Sequence, residues 1–169
     1  MSTFYKSIAH YYDRIFPVGQ PQLELILDLA GQASSRVLDV ACGTGSYSRE
    51  LFLRGHEVVA IDNDPAMLEL ARDKTPGLDV RRVPMESIDC IEGGFDLIFC
   101  IGNSLVHLED QTEIEGFIKD AYDLLHTDGS LLVQIVNYDR ILSQKIGGLP
   151  TIDHNDLTFE RHYHIEEDS

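Results

Sequence analysis

Five short apolar segments alternate with segments of helical periodicity along this chain, and that alternation limits the possible folds more than any other feature. The five segments are expected to be strands, at residues 36–40, 57–61, 78–83, 95–101 and 130–136. An N-terminal helix that Pro17 ends, and a second helix from Pro21 to Gly31, precede the first strand. Strands separated by helices require right-handed crossovers and a parallel sheet. We therefore predict a doubly wound α/β domain with helices on both faces of the sheet.

The net charge of the chain limits the kinds of partner that it is expected to bind. The 169 residues include 29 acidic and 13 basic side chains, which give a net charge of −16. We expect neither nucleic acid nor an anionic membrane as a partner, because binding phosphate groups needs a basic surface. The N-terminus lacks the apolar core of a signal peptide, and three cysteines without a C-x-x-C pair predict free thiols. The expected location is the cytoplasm and the expected ligand a small molecule.

The first predicted strand runs into a turn with two glycines, Asp39-Val40-Ala41-Cys42-Gly43-Thr44-Gly45. Two glycines allow a sharp turn and a close approach of the backbone to a ligand. A nicotinamide or flavin fingerprint would have a third glycine where this chain has Ser48. The Asp39 carboxylate would also repel a pyrophosphate and attract an ammonium group. These features disfavour an NAD-dependent oxidoreductase, which remains a distant alternative.

The string from Val37 to Gly45 resembles motif I of the class I S-adenosylmethionine (SAM)-dependent methyltransferases. Gly102-Asn103-Ser104, followed later by Asn137-Tyr138-Asp139, resembles the glycine N-methyltransferase branch in particular, over about residues 5–142. The resemblance implies a Rossmann-like fold with SAM as cofactor and S-adenosylhomocysteine (SAH) as product. It also implies transfer of a methyl group to a small-molecule acceptor, with an amine expected, by in-line SN2 displacement.

The resemblance assigns cofactor contacts to residues at the carboxyl ends of the strands. Asp62 would accept hydrogen bonds from both ribose hydroxyls, and Asp64 is expected instead to cap the next helix. Pro84 stands where the family often has the acid that contacts adenine, so Glu86 could supply that contact instead. Met85 either packs on the adenine ring or fills the core. The expected cofactor-binding residues are Tyr5, Asp39, Ala41, Cys42, Gly43, Gly45, Asp62, Asn63, Met67, Met85, Glu86, Ile101 and Gly102.

The expected catalytic residues are Asn103 and His107. In the relatives the Asn of Gly-Asn-Ser lies by the sulfonium and the acceptor. His107 could act as a base, although a histidine that begins a helix is more often structural. The N-terminal helix resembles one that folds over the cofactor, with Tyr5 expected to touch the cofactor and Tyr12 to belong to the core.

Two other constellations lack the partners that their chemistry needs. Cys42 has no motif that places a histidine beside it, so we expect a small residue in a crowded turn rather than a nucleophile. His162 and His164 would share a strand face, but no third ligand completes a metal set, and no metal is expected.

Three regions are expected along the chain: a cofactor-covering helix at 1–20, a SAM-binding domain at 21–146, and the start of an incomplete lid or terminal antiparallel strand at 147–169. Gly147 to Pro150 interrupts the pattern and Leu157 to Ile165 alternates as a single strand, so the C-terminal antiparallel strands are expected to be truncated. An unpaired strand could also recruit another subunit to complete the lid. A SAM- or SAH-binding fragment without catalytic activity is therefore the alternative function.

The resemblance also bears on the acceptor. Glycine-type relatives place an arginine, which can hold a substrate carboxylate, just before Asn-Tyr-Asp. This chain has Val136 at that position. We therefore expect glycine to be a poor acceptor.

Overall fold

The computed structural model describes residues 8–31, 34–154 and 156–164. The chain divides into two compact units, Met1–Ile135 and Val136–Ser169. This division falls earlier than the boundary expected after residue 146. No helix within the described ranges is long and apolar enough to cross a membrane.

The first unit contains five helices and five strands among its described residues, besides short 3₁₀ turns. The helices are α1 (Tyr12–Ile15), α2 (Gln20–Ala30), α3 (Ser46–Phe52), α4 (Pro65–Lys74) and α5 (Gln111–Leu124). The strands are β1 (Arg36–Val40), β2 (Glu57–Asp62), β3 (Asp79–Arg82), β4 (Phe95–Cys100) and β5 (Leu125–Val133). The 3₁₀ turns cover Ala9–Tyr11, Met85–Cys90 and Leu105–His107.

The five strands form one parallel sheet in the order β3-β2-β1-β4-β5, as the alternation predicted. The strand order reverses between β1 and β4, which are neighbours in space. A crevice opens at such a reversal, beyond the carboxyl ends of the strands, because the two crossover connections leave in opposite directions.

Helices cover the sheet on both faces. Leu38 and Val40 of β1 pack in a buried cluster that includes Phe117 of α5. Val37, one residue away, belongs to a second cluster that includes Ile26 of α2. Because successive strand residues point to opposite faces, a strand covered on both sides needs a continuous apolar run. This requirement explains why β4 is apolar at five of its six positions.

Strand β5 begins earlier than the sequence predicted. It starts at Leu125 rather than Ser130, and its pairing with β4 shifts register between Phe95 and Leu97. Asp128 and Gly129, a pair typical of turns, fall inside this irregular stretch, where Asp128 has a φ of 70°. Between these two pairs β5 has three residues more than β4, and such extra residues bend a strand locally without ending it.

The expectation of a single C-terminal strand is wrong, because the second unit contains a pair of strands. It contains helix α6 (Tyr138–Ser143) and two antiparallel strands, β6 (Gly148–His154) and β7 (Leu157–His162). The pairing shifts register between Leu149 and Ile152, so Pro150 lies where the ladder is already irregular and its missing N–H costs little. Strand β6 escaped notice in the sequence because its glycine and proline are usually strand breakers.

Candidate active site

A cleft of about 620 Å³ lies at the carboxyl ends of the strands in the first unit. That volume falls in the range of roughly 300–1,000 Å³ typical of small-molecule sites. The cleft is lined by Tyr12, Ala41, Gly43, Asp62, Asn63, Asp64, Met67, Val83, Met85, Glu86, Gly102, Ser104, His107, Leu108 and Glu109. It therefore occupies the place where the sheet topology predicts a ligand.

Most of the residues expected from the sequence come together in this cleft. Those that line it are Ala41, Gly43, Asp62, Asn63, Met67, Met85, Glu86, Gly102 and His107. Those described elsewhere in the first unit are Asp39, Cys42, Gly45, Ile101 and Asn103. Tyr5 lies outside the described residues.

The turn after β1 has backbone conformations that favour glycine. Gly43 and Gly45 have φ values of 56° and 70°, and Ala41 between them and the strand has a φ of 58°. A Cβ on Gly45 would lie 3.1 Å from the Cβ of Ala71, so this glycine allows α4 to pack closely against the turn. Gly45 therefore allows the turn to pack against α4, whereas Gly43 forms part of the cleft wall.

Two backbone N–H groups fix the Asp62 carboxylate in the cleft. Gly43 N–H donates to Oδ2 and Asp64 N–H donates to Oδ1, both at 2.8 Å. Burial raises the pKa of Asp62 above its ordinary value, although these hydrogen bonds oppose the shift. Each carboxylate oxygen can accept a second hydrogen bond. The side chain is thus held ready to accept two hydroxyl donors from one ligand.

Asp64 has the capping role that the sequence predicted, and it also lines the cleft. Its Oδ1 accepts hydrogen bonds from Ala66 N–H at 2.8 Å and Met67 N–H at 3.4 Å, at the start of α4. Its Oδ2 is buried without a hydrogen-bond partner among the described residues. The cap fixes the first turn of α4, which contributes Met67 to the cleft wall.

Asp39 does not reach the cleft surface, contrary to the expected cofactor contact. The residue is 3% exposed, and its Oδ2 accepts a hydrogen bond of 2.5 Å from the hydroxyl of Ser48 in α3. Asp39 shares a face of β1 with Val37, and that face turns toward α2 and α3. Burial raises the pKa of Asp39 to about 7.

Besides Gly45, three other expected cofactor or catalytic residues also lie off the cleft surface. Cys42 and Ile101 pack against the apolar cluster around α2. Burial next to Asp39 and Asp62 raises the pKa of the Cys42 thiol well above its ordinary value, so it stays protonated. Asn103 sits between two residues that line the cleft, in a left-handed conformation with a φ of 71°.

The loop after β4 is held by Gln134, a residue that no sequence motif indicated. The side-chain Oε1 of Gln134 accepts a hydrogen bond of 3.1 Å from Gly102 N–H, and its backbone carbonyl accepts one of 3.3 Å from Asn103 N–H. Ser104 Oγ donates to the carbonyl of Ile101 at 3.1 Å. These bonds fix the turn that presents Gly102, Ser104 and, beyond it, His107 to the cleft.

Tyr12 is part of the cleft wall, so its assignment to the core alone is wrong. The residue is half-buried and its ring centroid lies 5.1 Å from that of Phe16. A Cβ added to Gly43 would lie 3.4–3.6 Å from atoms of the Tyr12 ring. Because Gly43 has no side chain, the ring can lie directly across the turn.

The lining of the cleft is acidic. Among the described lining residues, four have carboxyl groups and none is a lysine or an arginine. The four are Asp62, Asp64, Glu86 and Glu109. Such a lining favours cationic or hydrogen-bond-donating ligands over carboxylates or phosphates. Within the described ranges, no group of three or more His, Cys, Asp or Glu side chains is arranged to hold a metal ion.

The methyltransferase domain family matches residues 37–129, more than half of the chain. The chain belongs to this family. The chain is 36% identical over 126 residues to glycine N-methyltransferase of Homo sapiens, covering 64% of this chain and 43% of that one. It is 33% identical over 123 residues to glycine/sarcosine N-methyltransferase of Halorhodospira halochloris, covering 69% of this chain and 46% of that one. The chain thus spans less than half the length of these curated relatives.

Solved structures agree with this methyltransferase assignment. A SAM-dependent methyltransferase from Clostridium acetobutylicum matches with a TM-score of 0.77 at 24% identity, over 98% of this chain and 71% of that one. The SAM-bound amino pentose methyltransferase from Micromonospora echinaspora matches with a TM-score of 0.64 at 25% identity, over 80% of this chain and 57% of that one. The fold is that of the class I SAM-dependent methyltransferases, whose cofactor is SAM. Membership of this family contradicts the alternative that the chain is an NAD-dependent oxidoreductase.

Proposed function

We propose that the cleft binds SAM and that the protein transfers its methyl group to a small-molecule amine. One observation carries the proposal: the glycine turn after β1 and the carboxylate that ends β2 line the same cleft, joined by the hydrogen bond from Gly43 N–H to Asp62. This arrangement offers a cis-diol two acceptor oxygens beside a stretch of backbone that a ligand can approach closely.

The lining residues suit the separate parts of the cofactor. Asp62 would hold the ribose hydroxyls. Val83 and Met85 line the cleft after β3 and offer an apolar surface to the adenine ring. Glu86 would accept a hydrogen bond from the adenine amino group, since Pro84 has no side-chain acceptor. The exposed backbone of the turn around Gly43 would face the methionine portion.

SAM, when bound, supplies a methyl group on a sulfur that is already cationic, so the hard chemistry belongs to the cofactor. The protein has to hold the lone pair of the acceptor in line with that methyl group, and orientation alone can account for much of the rate. Gly102, Ser104 and His107 border the cleft after β4 and would form the acceptor side. The His107 imidazole lines the cleft on this side and would take the proton that an amine releases after methylation.

An amine fits this cleft better than a carboxylate does. The described lining offers acidic groups without a basic partner, so an acceptor carboxylate would be desolvated with no compensating charge. The relatives named above are enzymes of glycine, sarcosine and an amino pentose, all of which carry an amine. Val136, at the position where glycine-type relatives have an arginine, offers no hydrogen-bond donor from its side chain.

Methyl-labelled SAM and a panel of small acceptors test this proposal. The panel should contain amino sugars, simple alkyl amines, glycine and sarcosine, each at several concentrations. We expect saturable transfer to at least one amine without a carboxylate, and slower transfer to glycine. Glycine methylation that matches the best amine would contradict the acceptor assignment. Tight SAH binding with no transfer to any member would favour the binding-only alternative.

A further inference from the structure

The Asp13 side chain joins three parts of the first unit that are far apart in sequence. It belongs to α1, and it contacts Thr44 and Ser46 in the turn after β1 and Lys74 at the end of α4. We refer to Asp13, Thr44, Ser46 and Lys74 together as the Asp13 clamp. The turn that it grips is the one that forms part of the cleft wall.

Every polar group of the clamp has a partner within it. The hydroxyls of Thr44 and Ser46 donate to Asp13 Oδ1, the latter at 3.0 Å, and Lys74 Nζ donates to Oδ2 at 2.6 Å. Lys74 Nζ also donates to both hydroxyl oxygens at 3.0 Å. Burial raises the pKa of Asp13, but the hydrogen bonds and the charge of Lys74 outweigh burial, and the pKa lies below its ordinary value. The carboxylate is therefore ionised at neutral pH.

Helix α1 depends on contacts of this kind for its position. It has only four residues, and an isolated helix of that length is not stable in water. Its apolar anchor is Ile15, which is 2% exposed. Its polar anchor is Asp13. Tyr12, which directly precedes Asp13, lies across Gly43 and lines the cleft.

We propose that the Asp13 clamp is a positioning device that holds Tyr12 in the wall of the cleft and so sets the affinity for the cofactor. Asp13 and Lys74 do not line the cleft, so they would act through residues that do, namely Tyr12 and the neighbouring turn at Gly43. The inference rests on the proposed function, because the ligand that Tyr12 would contact is SAM or SAH. The ion pair is partly exposed, at 29% for Lys74 and 43% for Asp13, so it should contribute little to overall stability.

Single substitutions in the full chain test the clamp by calorimetry with SAH. Asp13→Asn and Lys74→Gln should each raise the dissociation constant about three- to tenfold, while the ligand-free unfolding midpoint changes little. Exchanging the charges, Asp13→Lys together with Lys74→Asp, should restore part of the affinity, because a hydroxyl can donate to a carboxylate and accept from an ammonium at either position. Asp73→Asn and Lys119→Gln change exposed residues of α4 and α5 and serve as matched controls with unchanged affinity.

A second readout needs no ligand. The chain contains no tryptophan, so Tyr12→Trp introduces a single fluorophore into the cleft wall. Adding Lys74→Gln should shift the emission of this tryptophan to longer wavelength and increase its quenching by acrylamide, whereas adding Lys119→Gln should change neither.

The outcomes separate this inference from the proposed function. Unchanged quenching together with unchanged SAH affinity in the Lys74→Gln background would overturn the positioning role. Weaker binding that the charge exchange does not restore, with a lowered unfolding midpoint, would indicate a merely structural role and would also contradict it. Failure of the wild-type protein to bind SAH would instead overturn the proposed function, and the tryptophan readout would still test the clamp.

Discussion

The Asp62 carboxylate is oriented by the protein itself, because two backbone N–H groups bind one oxygen each. A ligand that uses the remaining lone pairs therefore meets a side chain whose rotamer is already selected. The same bonds give Asp62 a second role, since they tie the turn after β1 to the start of α4. Substituting Asp62 will consequently affect both binding and folding, and the two effects need separate measurements.

Asp62→Ala should weaken SAH binding by about 1.5–3 kcal/mol, the range for a hydrogen bond to a charged group. The free energy of unfolding without ligand should fall as well, because the N–H groups of Gly43 and Asp64 lose their acceptor. An SAH analogue lacking the ribose 2′-hydroxyl isolates the contact. The wild-type protein should prefer SAH over this analogue, and Asp62→Ala should lose most of that preference. An equal preference in both proteins would contradict the ribose assignment.

The buried Asp39 predicts a pH dependence of stability. Its folded pKa of about 7 lies above an unfolded value of roughly 3.9, so the folded state holds the extra proton between these values. The stability that this proton confers is complete below about pH 4 and is lost as the pH rises through the folded pKa. Asp39→Asn keeps an oxygen for Ser48 and cannot ionise.

The unfolding free energy of Asp39→Asn relative to wild type should therefore grow from about pH 4 to about pH 7 and then level off. Urea unfolding at several pH values measures this difference, with Asp73→Asn as the control for loss of an exposed carboxylate. A difference that stays constant over this range would show that Asp39 has no raised pKa.

At this scale the sequence predicted most of the residues that line the cleft, because the residues that follow each strand converge on it. The expected cofactor contact of Asp39 stays a prediction, and its side chain lies on the same face of β1 as Val37, outside the cleft lining. The sequence could not locate Tyr12 or Gln134. Their roles depend on tertiary contacts with Gly43 and Gly102, for which no local pattern exists.

At the scale of elements, Asp64 caps helix α4 and also lines the cleft. Asp64→Ala should lower the free energy of unfolding by about 0.5–2 kcal/mol, because the N–H groups of Ala66 and Met67 lose their acceptor. Asp64→Ser keeps one acceptor and removes the second, buried carboxylate oxygen, so it should be close to wild type. Urea unfolding of both variants measures the cap. Equal destabilisation by Ala and Ser would contradict it.

Strand positions were predictable where short segments with apolar residues alternate with helical segments. Strands β1, β2, β3 and β4 all lie within one residue of their predicted bounds. Strand β6 was not predicted, because Gly148 and Pro150 are residues that usually interrupt a strand. A Cβ on Gly148 would clash with the carbonyl oxygen of Arg161, so the close approach of the two strands requires this glycine.

At the scale of the whole molecule, the sheet order and the acidic composition lead to the same conclusion. The order β3-β2-β1-β4-β5 puts a cleft between β1 and β4, and the residues at that edge are acidic and rich in hydrogen-bond acceptors. A dinucleotide pyrophosphate would find no lysine or arginine among the described lining residues. A ligand with a diol and a cationic centre suits this lining, and SAM has both.

Calorimetric titration of the whole chain with SAH, SAM and NAD tests the central claim most directly. The account predicts saturable binding of SAH and SAM at one site per chain and no measurable heat of binding for NAD under the same conditions. Saturable binding of NAD with no binding of SAH or SAM would contradict the account.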